Sequence, residues 1–164
     1  MANLNDNMIE LLEAMLQAHE RILALATARY EAMRAFDMPS LTGLMAREEQ
    51  EVQALTDLEK RRKEVTAQFR AVLGPRVEIT TSEIARRADA ATRERMLALS
   101  GRLKAVIEKI DRINRINSKV SGSVLQSLSR VVRVITGMAQ HAGLYMKNGR
   151  KASLRGVHML DATA

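Results

Sequence analysis

The sequence has no cysteine and no tryptophan, and only two tyrosines, two phenylalanines and two prolines. Without cysteine, a disulfide framework, a thiolate metal site and a cysteine nucleophile are all excluded. The scarcity of aromatics leaves Leu, Ile, Val, Ala and ten Met to build the core. Such side chains suit helix against helix, where straight and γ-branched groups interdigitate along seams. Sandwiches and barrels draw instead on aromatic and β-branched residues. No stretch nears the roughly 20 consecutive apolar residues of a membrane span. The N-terminal MANLNDNMIELLEAML also lacks the basic region and apolar run of a signal peptide. A cytoplasmic protein is therefore expected.

Acidic residues are scarce in one half of the chain. Residues 1–80 hold 10 basic and 13 acidic side chains, a net of −3, whereas residues 81–164 hold 16 basic and 6 acidic, a net of +10. A basic half of this kind suits nucleic acid, anionic lipid or an acidic protein surface.

What the sequence does have is helical periodicity. A first helix is expected from about Leu4 to Phe36, capped by Asn3, Asn5 or Asp6, with Met8, Leu12, Met15, His19, Ile22, Ala26, Tyr30 and Met33 on one face. His19 lies in that stripe and reads as a structural, partly buried residue rather than a catalytic one. Asp37-Met-Pro-Ser40 breaks the pattern, and Pro39 suits the first turn of a second helix reaching about Leu73. Leu41, Leu44, Leu55, Leu58, Val65, Phe69 and Val72 form its seam, interrupted by Glu48, Glu51 and Arg62. So short a connection makes the two helices antiparallel neighbours.

Gly74-Pro75 ends the second helix. Val77 and Ile79 hint at extended backbone. Thr80-Thr-Ser-Glu83 reads as a capping box in which Glu83 reaches back, opening a short basic helix from Ser82 to about Ala90. The strongest pattern is a long helix from about Thr92 to His141. Its positions Met96, Leu99, Leu103, Val106, Ile110, Ile113, Asn117, Val120, Val124, Ser127, Val131, Val134 and Met138 alternate by three and four, the period of a supercoiled seam. Asn117 in such a seam is expected to fix register, and Ser118-Lys-Val-Ser-Gly-Ser123 is a place for a kink. The fold class is therefore all-α: an antiparallel helical bundle or coiled coil, with two N-terminal helices packed on a long C-terminal helix. A helical domain over residues 1–142 and a flexible basic tail over 143–164 are expected.

Catalytic patterns are missing. His19, His141 and His158 are not spaced as ligand pairs, no His-Glu-x-x-His occurs, and the carboxylates fall into Glu–Lys/Arg surface patterns. No enzyme activity, metal or cofactor is expected. Arg102, Lys109, Arg112, Arg115, Lys119, Arg130 and Arg133 form a loose basic face on the long helix, broken by Glu108 and Asp111. It supports an alternative reading, a basic helical module that binds nucleic acid or scaffolds a helical assembly, but stacking aromatics are lacking. Toward its end the long helix gains a second apolar stripe, Leu125, Leu128, Val132 and Ile135. Either the helix is sandwiched inside a bundle or one stripe meets a partner, and a homo-oligomer is one such arrangement.

Several of these features occur together in a known family. Two antiparallel helices joined at Phe36-Asp-Met-Pro-Ser-Leu41 precede Ile110-Asp-Arg-Ile-Asn-Arg-Ile-Asn-Ser118, with its two Asn three apart, then an apolar helix and a tail containing Leu144-Tyr-Met-Lys-Asn-Gly149. In this order the sequence resembles the FlgN-like flagellar export chaperones over nearly the whole chain. The resemblance implies a cytosolic chaperone that binds hook–filament junction proteins (FlgK- or FlgL-like) and delivers them to the export gate of the flagellar type III apparatus, an FlhA-like receptor. It places client binding on Val120, Val124, Leu125, Leu128, Val131, Val132, Ile135 and Met138, and export-gate docking on Tyr145.

Overall fold

The computed structural model describes the backbone of residues 2–74 and 78–141 and the side chains of residues 3–74 and 78–136. Four helices follow one another: α1 (Ala2–Arg34), α2 (Met38–Leu73), α3 (Thr81–Arg86) and α4 (Ala90–His141). Among the described residues there is no strand, and the all-α expectation holds. A first compact unit ends at Val120 and a second begins at Ser121. The expected change from helical domain to tail at residue 142 lies outside the described residues.

Each helix boundary has a local chemical cause. The first helix begins at Ala2, ahead of the expected caps, so Asn3, Asn5 and Asp6 lie inside it and Asn5 is buried. Leu4, Met8 and Ile9 all pack on the core, and continuing the helix keeps them on one face. The C-terminus of α1 is a Schellman turn. Asp37 N–H donates to the Ala32 carbonyl (3.0 Å) and Phe36 N–H to the Met33 carbonyl (3.3 Å). That turn needs a left-handed residue, and Phe36 supplies it at φ +54° where glycine is usual. This is why the helix stops at Arg34, short of Phe36.

Asp37 then caps α2, its carboxylate accepting from Ser40 N–H at 3.1 Å, with Pro39 in the first turn. Hydrogen bonds from the Ser40 side chain and backbone hold this carboxyl below its ordinary range. Gly74 closes α2 at φ +94°. Thr80 caps α3 by accepting from Glu83 N–H at 3.1 Å. Only that half of the expected capping box forms, because Glu83 turns its carboxylate to Arg86 (2.6 Å) and Arg87 (2.9 Å). At the far end Arg93 reaches back from α4 to the carbonyls of Ala85, Arg86 and Ala88, at 3.2–3.4 Å, and satisfies acceptors left open by α3. Asp89 caps α4 through Thr92 N–H at 3.0 Å, and that hydrogen bond, with a further one from the Thr92 side chain, lowers the Asp89 carboxyl. This cap starts α4 two residues before the expected Thr92.

Packing within residues 2–120 fixes the helix directions. Arg21 pairs with Glu51 (2.9 Å) and Arg29 with Glu48 (3.0 Å), while Phe69 joins Met8 and Leu12 in the core. Partner numbers fall as α1 rises, so α1 and α2 are antiparallel. Against α4 they rise together: Glu13 meets Arg95 (2.7 Å), Glu20 meets Arg102 (3.2 Å), and the Ala26 carbonyl meets Asn117 (2.9 Å). The helices α1 and α4 are therefore parallel. The core joins Met8, Ile9, Leu12 and Leu16 of α1 to Phe69 of α2, Ile84 and Ala85 of α3, and Met96, Leu99 and Val106 of α4. The second helix contributes least. Phe69 is its one buried side chain, and Val72, expected in the seam, is exposed because α2 ends a single residue later. Ile79 of the connector packs on this core without regular structure, while Val77 lies outside the described residues.

Candidate partner-binding surface

The seam of α4 changes character along its length. Met96, Leu99 and Val106 are buried, Leu103, Ile110 and Ile113 half-buried, and Asn117 is only 3% exposed. Val120 and Val124 remain half-buried. From residue 125 to residue 136 every side chain is exposed. Val131 and Val134, which continue the seam by spacing, are as uncovered as Leu125, Leu128, Val132 and Ile135 of the second stripe. The six lie at 53–65% exposure. Scattered exposed Leu or Val needs no explanation, but six on three turns of one helix form a contiguous apolar patch of the kind that marks interaction sites. The side chain of Met138 and the whole of Tyr145 lie outside the described residues.

The transition is marked by a polar layer. Arg29 of α1 spans the bundle, its Nη1 at 3.0 Å from Glu48 Oε2 of α2 and its Nη2 donating to Asn114 Oδ1 of α4 at 2.8 Å. The contact with Glu48 is close in distance but poorly aligned as a hydrogen bond, and both it and Arg29 Nε stay without an aligned partner. It therefore acts as a Coulombic contact. Next to it Asn117 Nδ2 donates to the Ala26 carbonyl, as its seam position predicts. The paired Asn residues thus have distinct tasks: Asn114 accepts from Arg29, and Asn117 grips the α1 backbone. Sequence reading marked Glu48 as an interruption and did not find Arg29, whose partners lie 19 and 85 residues away. Spacing along a single helix carries no signal for such a link.

Other polar candidates are spent on structure. His19 is buried and its Nδ1–H donates to the Met15 carbonyl one turn earlier, at 2.7 Å. Of the basic face, Arg102 is paired with Glu20. Arg112, Arg115 and Lys119 line a shallow depression together with Glu108 and Asp111, so their field is partly neutralised. Among the described residues no group of three or more His, Asp or Glu is placed to hold a metal ion, and no helix is long and apolar enough to cross a membrane.

A relative from Bacillus subtilis (strain 168), described as "Uncharacterized protein YvyG", is 26% identical over 121 residues, covering 74% of this chain and 74% of the relative. No solved structure matches. The family model described as FlgN protein matches residues 1–153. This chain belongs to the FlgN family, the flagellar export chaperones.

Proposed function

We propose that this chain is a cytosolic chaperone for hook–filament junction proteins (FlgK- or FlgL-like), which it delivers to an FlhA-like export gate of the flagellar type III apparatus. Its family is one of chaperones, not known for enzymatic activity, and its partners are flagellar proteins. The observation that carries the finer reading is the uncovered apolar arc of α4, Leu125 to Ile135. A disordered client segment that folds as an amphipathic helix can lay its apolar side on Val120, Val124, Leu125, Leu128, Val131, Val132, Ile135 and Met138. Such a client loses ordering entropy on binding, which keeps the affinity moderate and the client releasable. Tyr145, by resemblance, is the export-gate docking residue, and it lies in the basic stretch of sequence that begins at residue 143.

The test is a pair of exposed substitutions. Leu128→Asp with Val132→Asp is expected to abolish co-purification with a FlgK- or FlgL-like client while circular dichroism and the urea midpoint stay unchanged. A folded double variant that still binds its clients normally would remove this face from the proposal. Tyr145→Ala is expected to spare client binding and lower secretion, and unchanged secretion would discard its docking role.

A further inference from the structure

The exposed end of α4 is amphipathic as well as apolar. At about 100° per residue, Leu125, Leu128, Val131, Val132, Val134 and Ile135 fall within an arc of about 180°, and all six are exposed. The opposite arc carries Gln126, Ser129, Arg130 and Arg133, also exposed. Thr136 sits at the border, its hydroxyl turned back on its own helix toward the carbonyls of Val132 (2.8 Å) and Arg133 (3.2 Å). A hydroxyl satisfied in this way can enter a water-poor region at little cost. Arg133 Nε donates to the Ser129 carbonyl (3.2 Å), which leaves its terminal nitrogens for an anion. Charge here has one sign, since no Asp or Glu occurs between Asp111 and Asp161.

An apolar arc opposite a basic arc, on a helix whose described residues are not apolar enough to cross a bilayer, is the physical description of a helix lying in a membrane interface. The competing occupants fit less well. Nucleic acid would use the arginines but has no need of the apolar arc, and residues 121–136 contain no aromatic on which a base could stack. A second copy paired through Val131 and Val132 would cover the apolar arc but leave Arg130 and Arg133 on the outer face of the pair with no role.

We propose that residues 121–136 dock on an anionic bilayer surface, with the apolar arc at the acyl boundary and Arg130 and Arg133 at the lipid phosphates. This does not depend on the client reading. Where both hold, client and membrane use the same arc and exclude one another.

Co-sedimentation of the full chain with vesicles tests it, comparing phosphatidylcholine alone with phosphatidylcholine mixed with phosphatidylglycerol. Binding is expected only to the mixed vesicles and is expected to weaken with salt. Arg130→Glu with Arg133→Glu should reduce partitioning by about 30-fold or more, the effect of two charges near an anionic surface. Leu128→Asp with Val132→Asp should abolish it, and Leu128→Gln with Val132→Gln serves if the Asp pair lowers helix content. All these variants retain the basic residues Lys147, Arg150 and Lys151. Vesicle binding undiminished by either pair would therefore belong to the tail and overturn the proposal. So would duplex DNA binding without vesicle binding, or a dimer that the Asp pair dissociates.

Discussion

Single residues show where this chain strains and where it is tied. Phe36 holds a left-handed backbone with its ring 67% exposed, so it accepts the strain with no packing in return. Phe36→Gly is expected to raise stability by about 0.5–1 kcal/mol, the left-handed penalty less the added chain entropy, read from urea unfolding. Arg29→Ala acts in the opposite direction. It leaves Glu48, whose side chain is 14% exposed, and Asn114 without their shared partner. A loss of about 1–3 kcal/mol is expected, below the figure for full burial because water reaches both charges. The double variant Arg29→Ala, Glu48→Ala should recover part of it in the same urea measurement. Phe69→Ala should cost more, about 3–5 kcal/mol, since it empties the one buried position of α2. His19 and Asn117 were legible from their seam positions alone. Arg29 was not, because its role depends on which helices become neighbours.

Helix ends and helix faces set the behaviour at the next scale. Asp37 and Asp89 cap α2 and α4, and both carboxyls lie below their ordinary range. Their contribution is complete above the unfolded carboxyl value of about 4 and is lost as pH falls through the lower folded value. Thermal midpoints followed down through that acidic range should fall less in Asp37→Asn, where the capping oxygen no longer titrates, than in the parent chain. The breaks at residues 37–40, 74–75 and 80–83 could be read from proline, glycine and capping residues. The exact ends could not, because the Schellman turn at Phe36 and the Asp89 cap are decided by hydrogen bonds that no apolar pattern records. Periodicity likewise could not show where the α4 seam stops being covered, since Val131 and Val134 repeat the three-residue step of Ile110 and Ile113 while lying open.

For the molecule as a whole, α4 joins two levels of tertiary support on one continuous helix. Its amides from Met96 to Asn117 are backed by the core, whereas those from 125 to 136 have only the helix's own hydrogen bonds. Native-state hydrogen exchange should divide accordingly, with slow exchange before Val120 and fast exchange after it. Addition of a bound partner should slow the second group alone. The ion pairs between α1 and α4 carry a further consequence. Glu13–Arg95 and Glu20–Arg102 are seven residues apart on both helices, and Lys109 stands seven beyond Arg102. Sliding α4 by seven residues would give Glu13 to Arg102 and Glu20 to Lys109, so these pairs repeat like the teeth of a ratchet and accept more than one alignment. The slipped bundle would bring Asn117 to His19 instead of to the small Ala26, and would take Asn114 away from Arg29. One asparagine pair at a unique site thus removes a degeneracy that the repeating charges leave in place.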